Sequence, residues 1–197
     1  MSNLVVGANL KEFFRLLVTE AVNRQHVDLG EVTEFYVVNL LADFAAAEKL
    51  FVEEMGKKDT EALAVLYHRA LQQEREEKIR TLRRLGDVSL YTAGFFSESL
   101  KDRAVGSDYY ISMGGNAYAA LAELSGQSAI SGVYWELHHK FRSLVDVLEE
   151  IAARGMAAQG AHGQMQVFEA WQRTGSGNLE QVLCDVGLIP KNKGPLN

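Results

Sequence analysis

The sequence predicts an all-α protein, a single-domain irregular helical bundle of about seven to eight helices. Three observations predict it. The first 189 of the 197 residues contain no proline, and both prolines, Pro190 and Pro195, fall in the last eight positions. Proline lacks a backbone N–H and its ring clashes with the preceding turn, so its absence lets helix follow helix. Apolar residues recur at spacings of three and four over most of the chain, and most glycines lie between those segments, where they end helices.

The first helix is expected over Leu10 to Gln25, where Phe13, Phe14, Leu17, Val18, Ala21 and Val22 form one face. Asp28 and Glu31 have the spacing of a capping box for a second helix, from about Glu31 to Glu54, with Gly56 ending it. Apolar residues surround that helix almost completely, which predicts a central buried element. A third helix starts near Thr60. Its pattern runs to about Leu100, roughly 60 Å at about 1.5 Å per residue, too long for a domain of this size. A break is therefore placed at Gln72 to Arg75, where charge replaces apolar periodicity. Gly106 and Ser107 open a helix that reaches Ser125, with Asp108 at the positive end of its dipole. One long helix follows from Ala129 to Arg154, then short helices near Gln164 to Arg173 and Leu179 to Asp185. The domain is expected over residues 1–189, with 190–197 a flexible tail.

A net charge of −6 argues against nucleic acid as the main partner. The basic cluster Arg69, Arg75, Lys78, Arg80, Arg83 and Arg84 is interleaved with Glu74, Glu76 and Glu77, which suits a solvated helix. No apolar run approaches the roughly 18 residues of a membrane span, and Met1 to Leu10 does not read as a signal peptide. The single cysteine, Cys184, excludes an internal disulfide and is expected as a packed thiol; the cytoplasm is the expected location. Signatures for nucleotide, zinc and acyl-transfer sites are absent, and no cofactor is implied.

The most regular pattern belongs to the helix from Ala129. Ile130, Tyr134, Leu137, Phe141, Leu144, Leu148 and Ile151 alternate spacings of four and three, a heptad seam. It suits either a contact inside the bundle or a homodimer seam. Trp135 and Arg142 lie off the seam and are candidate partner contacts, unless that face packs under the terminal helices around Trp171. Glu136 and His139 form a Glu-x-x-His pair, one half of a di-metal carboxylate motif whose second half is missing. These two and His138, on the flank of the seam, are the weak metal candidates; solvated or hydrogen-bonded side chains are the plainer reading.

Small residues mark the middle of the chain. Gly86, Ser89, Ala93 and Ser97 form one stripe, and Ser112, Gly115, Ala119 and Ala122 another. A helical glycine costs about 1 kcal/mol against alanine. Close approach of the two helices would offset that; alternatively the stripes leave room for a ligand, with Tyr91, Tyr110, Asn116 and Tyr118 as walls. Asp87 is the one acid in this apolar stretch and is expected to pair with Arg83 or Arg84. Asn39 and Asp43 read as a buried polar pair that sets helix register.

The run Glu34-Phe35-Tyr36-Val37-Val38-Asn39-Leu40-Leu41, with Leu85-Gly86-Asp87 and the Tyr109–Tyr110 to Tyr118 segment, resembles a group of uncharacterised all-helical bacterial proteins. The resemblance implies a bacterial origin and transfers no site residues. Together these features predict a non-enzymatic protein-interaction or regulatory module that self-associates. The alternative is a helical enzyme or carrier with a metal or a small apolar ligand between its helices.

Overall fold

The computed structural model describes residues 2–57, 63–100 and 106–188. Among them are ten helical segments and no strand: α1 (Ser2–Arg24), α2 (Glu31–Lys57), α3 (Leu63–Leu71), α4 (Arg75–Phe95), α5 (Ser97–Leu100), α6 (Ser107–Ser125), α7 (Ala129–His139), α8 (Phe141–Ala157), α9 (Ala161–Thr174) and α10 (Gly177–Asp185). The all-α expectation holds. The break after Leu71 falls where charge interrupts the periodicity. The larger helix count arises from two further interruptions, at Phe96 and at Lys140. The tail from Pro190 lies outside the described residues.

The break at Lys140 divides the helix that the heptad seam predicts as continuous. A ring nitrogen of His139 sits 2.7 Å from the carbonyl oxygen of Trp135. Lys140 itself departs from helical geometry, with φ −102° and ψ 13°. The seam still faces inward on both sides of the break. Tyr134, Leu137, Phe141, Leu144, Leu148 and Ile151 are all buried within the chain, and only Ile130 is exposed.

The bundle is organised around α4, which packs most extensively on α6 and also on α8 and α3. Its small residues make this possible. A Cβ at Gly94 would stand 2.3 Å from Cβ of Leu148, and one at Gly114 would stand 2.4 Å from the Phe141 ring and 2.7 Å from Cβ of Ser89. No real Cβ is found so close to another atom, so α4 meets α6 and α8 at distances only glycine allows. The α4 stripe is thus a packing surface. The expected α6 stripe is corrected in register: Gly114, not Gly115, meets α4. Gly115 and Ala122 instead turn toward α7, where their carbonyls meet His138 and Ser131.

The role expected of α2 also changes. Val37, Leu40 and Leu41 face the core, but Val32 and Phe35 are each 66% exposed, because α2 lies at the side of the bundle. Its start is capped from a distance. Asp28 is exposed, and the first helical bond runs from the Glu34 N–H to the Gly30 carbonyl at 2.9 Å. Glu136 on α7 then accepts from the Gly30 N–H at 3.0 Å and from the Thr33 hydroxyl. It does what the third residue of a local capping box would do.

A buried carboxylate ties α1 to α8. Glu150, 1% exposed, accepts from Arg24 Nε at 2.7 Å, Arg154 Nε at 2.8 Å and Gln25 Nε2 at 2.8 Å. Arg154 continues to Asp185 of α10 at 2.7 Å. The last helices enclose a smaller apolar cluster of Ala153, Ala157, Val167, Trp171, Val182 and Leu183. Cys184 beside it is exposed, contrary to the packed thiol expected.

The glycine contacts predict opposite outcomes for the same substitution. Gly94→Ala and Gly114→Ala should each destabilise by about 1–3 kcal/mol through overpacking. Gly132→Ala in α7, with nothing within 4 Å of its would-be Cβ, should stabilise by up to about 1 kcal/mol. Urea unfolding of the three variants reads both signs.

Candidate functional site

Asp87 lies one residue after Gly86 on α4 and faces α2 and α6. The Tyr36 hydroxyl donates to its Oδ1 at 2.6 Å, and the Tyr118 hydroxyl donates to the same oxygen at 2.8 Å. Gly86 makes room for this arrangement, since a Cβ there would stand 2.7 Å from the Tyr118 ring. Tyr134 completes the cluster. It stacks on Tyr118 with centroids 6.2 Å apart and meets Tyr36 edge-on at 6.1 Å.

Arg83, one turn before Asp87, brings its Nε to 3.7 Å from Oδ2. That distance makes an ion pair but no hydrogen bond. Its guanidinium lies over the Tyr36 ring, 5.5 Å from the centroid, a cation–π contact. Burial pushes the Asp87 carboxyl above the usual carboxylate range, and the two hydroxyls and Arg83 only partly offset it. Burial and the neighbouring carboxylate push Tyr36 and Tyr118 well above the ordinary phenol range. Both tyrosines are therefore protonated donors at neutral pH. The cluster holds a carboxylate in place and offers no activated phenolate.

Above the cluster a cleft of about 580 Å³ opens between α2, α4 and α7. Asp87, Arg83 and Tyr36 line it, with Asn39 and Asp43 on α2 and Lys11 on α1. Val32, Phe35, Ile130 and Val133 form its apolar side. Asn39 is half-buried, with its amide bonded to the Phe35 carbonyl at 2.7 Å, and Asp43 is exposed. The buried polar pair expected of these two is thus a pair at the cleft.

Of the ligand-wall residues expected from sequence, Asp87 and Tyr118 come together and the others do not. Tyr91 is buried between Phe44 and Phe95, stacked at 4.4 and 4.9 Å. Tyr110 is buried beside Tyr109, and Asn116 is exposed. Tyr36 and Arg83 were not singled out as site residues. The one signal for Tyr36 is a phenol beside Phe35 in a mostly apolar run.

The weak metal candidates, neighbours on α7, are each engaged by other groups. Glu136 is engaged by Gly30, Thr33 and Lys140, the last at 2.8 Å. Burial would raise its carboxyl, but those three contacts outweigh burial and hold it below its ordinary value. A ring nitrogen of His138 lies 2.9 Å from the Gly115 carbonyl, and His139 bonds within its own helix. Among the described residues no three His, Cys, Asp or Glu side chains are grouped to hold a metal ion. Trp135 stays 38% exposed, edge-on to His138, while Trp171 packs with Phe168 elsewhere. Arg142 reaches Asp108 at 3.1 Å in an exposed ion pair. No helix among the described residues is long and apolar enough to cross a membrane.

Comparison with protein-family models, with curated proteins and with solved structures finds no match to this chain. The functional reading therefore rests on the residues themselves.

Two substitutions test the geometry. Tyr118→Phe removes a hydroxyl from a half-buried carboxylate and should destabilise by about 1–3 kcal/mol in urea unfolding. Glu136→Gln weakens a remote cap and should cost about 1 kcal/mol at neutral pH. A carboxyl held below its unfolded value stabilises above that value, and the contribution fades as pH falls through the folded one. The gap between wild type and Glu136→Gln should therefore hold at neutral pH and close as pH falls below about 4.5.

Proposed function

We propose that this chain is a non-enzymatic protein-interaction module that self-associates, with the outer face of α7 and the start of α8 as its contact surface. The observation that carries the reading is Trp135, an indole 38% exposed on a regular helix. Exposed tryptophans are over-represented among the residues that dominate binding energy. Its ring is braced by His138, 5.8 Å away, and by His139, 5.5 Å away, so little side-chain freedom would be lost on contact. Arg142, also exposed, adds a charged group of the kind enriched at interfaces.

The heptad seam no longer supports self-association, because it is used within the fold. The Trp135 face takes its place, and a two-fold pair of copies would set each indole against the partner surface. The exposed free thiol of Cys184 supports a reducing, cytoplasmic setting, and the sequence resemblance to bacterial helical proteins supports a bacterial one.

Light scattering over a concentration series tests the proposal. The wild type should form a dimer, and Trp135→Ala should raise its dissociation constant by about 30-fold or more, the loss of roughly 2 kcal/mol typical of a hot spot. Arg142→Glu should weaken it further. A wild-type chain that stays monomeric up to about 1 mM, a dissociation free energy of roughly 4 kcal/mol, overturns the self-association reading.

A further inference from the structure

We propose that the cleft between α2, α4 and α7 binds a free α-amino acid with an apolar side chain, its carboxylate on Arg83 and its ammonium on Oδ2 of Asp87. This site is separate from the Trp135 face. Five residues separate Ile130, at the cleft, from Trp135, which sets them about 140° apart around α7.

The argument starts from unfilled bonding capacity. A carboxylate oxygen has two lone-pair sites, and both on Oδ1 of Asp87 are taken by tyrosine hydroxyls. Among the described residues the ion-pair partner of Oδ2 is Arg83, at 3.7 Å, outside hydrogen-bond range. Arg83 is itself half-exposed; its guanidinium lies over the Tyr36 ring, has the Tyr36 hydroxyl as a further partner, and lines the cleft. The cleft therefore presents an acceptor and a donor group of opposite charge, adjacent and ion-paired but not hydrogen-bonded to each other. The tyrosines keep Asp87 fixed while Oδ2 stays available.

The charges decide the ligand class. Among the described residues, Arg83 and Lys11 are the cations of the lining, and Asp87 and Asp43 its acids. A simple anion would be drawn to Arg83 but meet two carboxylates. A simple cation would meet two basic groups. A ligand with neighbouring opposite charges satisfies both sides at once, and the α-ammonium and α-carboxylate of an amino acid are such a pair.

The walls decide the side chain. Val32 and Phe35, each 66% exposed, stand over the cleft with Ile130, and Val133 lies beneath. An apolar side chain laid between them would remove that surface from water. A volume of about 580 Å³ lies within the roughly 300–1,000 Å³ of small-ligand sites.

The test is titration of the full chain, followed by calorimetry and by amide chemical shifts. The probes are L-leucine, 3-methylbutylamine (leucine without its carboxylate) and 4-methylpentanoate (leucine without its ammonium). Leucine should bind saturably, and each single-charge analogue at least about tenfold more weakly, a loss of about 1.4 kcal/mol. Arg83→Gln and Phe35→Ala should each weaken leucine binding about tenfold or more, and both sites are exposed enough to leave the melting curve nearly unchanged. Asp87→Asn should do the same, and the two exposed variants decide the matter where it fails to fold. Trp135→Ala should bind leucine as the wild type does, so loss of self-association and loss of this site are told apart. Absence of binding up to about 10 mM leucine, an analogue that binds as tightly as leucine, or an Arg83→Gln variant that binds normally overturns the proposal.

Discussion

The near-contact of α4 with α6 and α8 is the constraint on which the rest of the structure depends. Side chains of ordinary size would hold these helices about 8–10 Å apart. At Gly94 and Gly114 the opposing side chains occupy the space a Cβ would need. The helix penalty of glycine is offset there by denser packing, since each atom brought to van der Waals distance adds dispersion energy. Gly86 belongs to the same stretch but serves a polar end: the Tyr118 ring fills its missing Cβ and brings a hydroxyl onto Asp87. Core packing and the candidate cleft therefore share one cause.

Two carboxylates extend this framework. Glu136 caps α2 from α7, and Glu150 joins Arg24 of α1 to Arg154 of α8. Buried charge is unfavourable unless it is paired and its lone pairs are filled, and Glu150 meets that condition with three donors. Ser89 and Thr92 on α4 contrast with it, for their fully buried hydroxyls have no hydrogen-bond partner. Their small size at a tight crossing explains them better than their polarity does.

The two proposed surfaces differ in construction. At the Trp135 face an aromatic ring is exposed and braced by neighbours on its own helix, so local sequence creates it. At the Asp87 cleft the groups come from α1, α2, α4 and α7, and the tyrosines that fix the carboxylate come from α2 and α6. Binding at the cleft would therefore sense the relative placement of helices, whereas contact at Trp135 would sense one helix alone. A cleft that bridges elements in this way is suited to couple ligand binding to small helix shifts.

The sequence by itself determined the helices. Absent proline, periodic apolar residues and glycines at the ends specify local backbone geometry, and these signals act within a turn or two. They placed the break after Leu71, the extent of α6 and the packing stripe on α4. The break at Lys140 escaped them, because the apolar pattern continues across it. Tertiary structure alone decided everything that joins distant residues. It moved the cap of α2 from Asp28 to Glu136, faced Gly114 rather than Gly115 toward α4, and left Val32 and Phe35 in solvent. It also brought Tyr36 and Tyr118, 51 and 31 residues away in sequence, onto the one carboxylate of Asp87. Periodicity tells which face of a helix is apolar. Only the packed fold tells which helix that face will meet, and so which polar groups are drawn together at its edge.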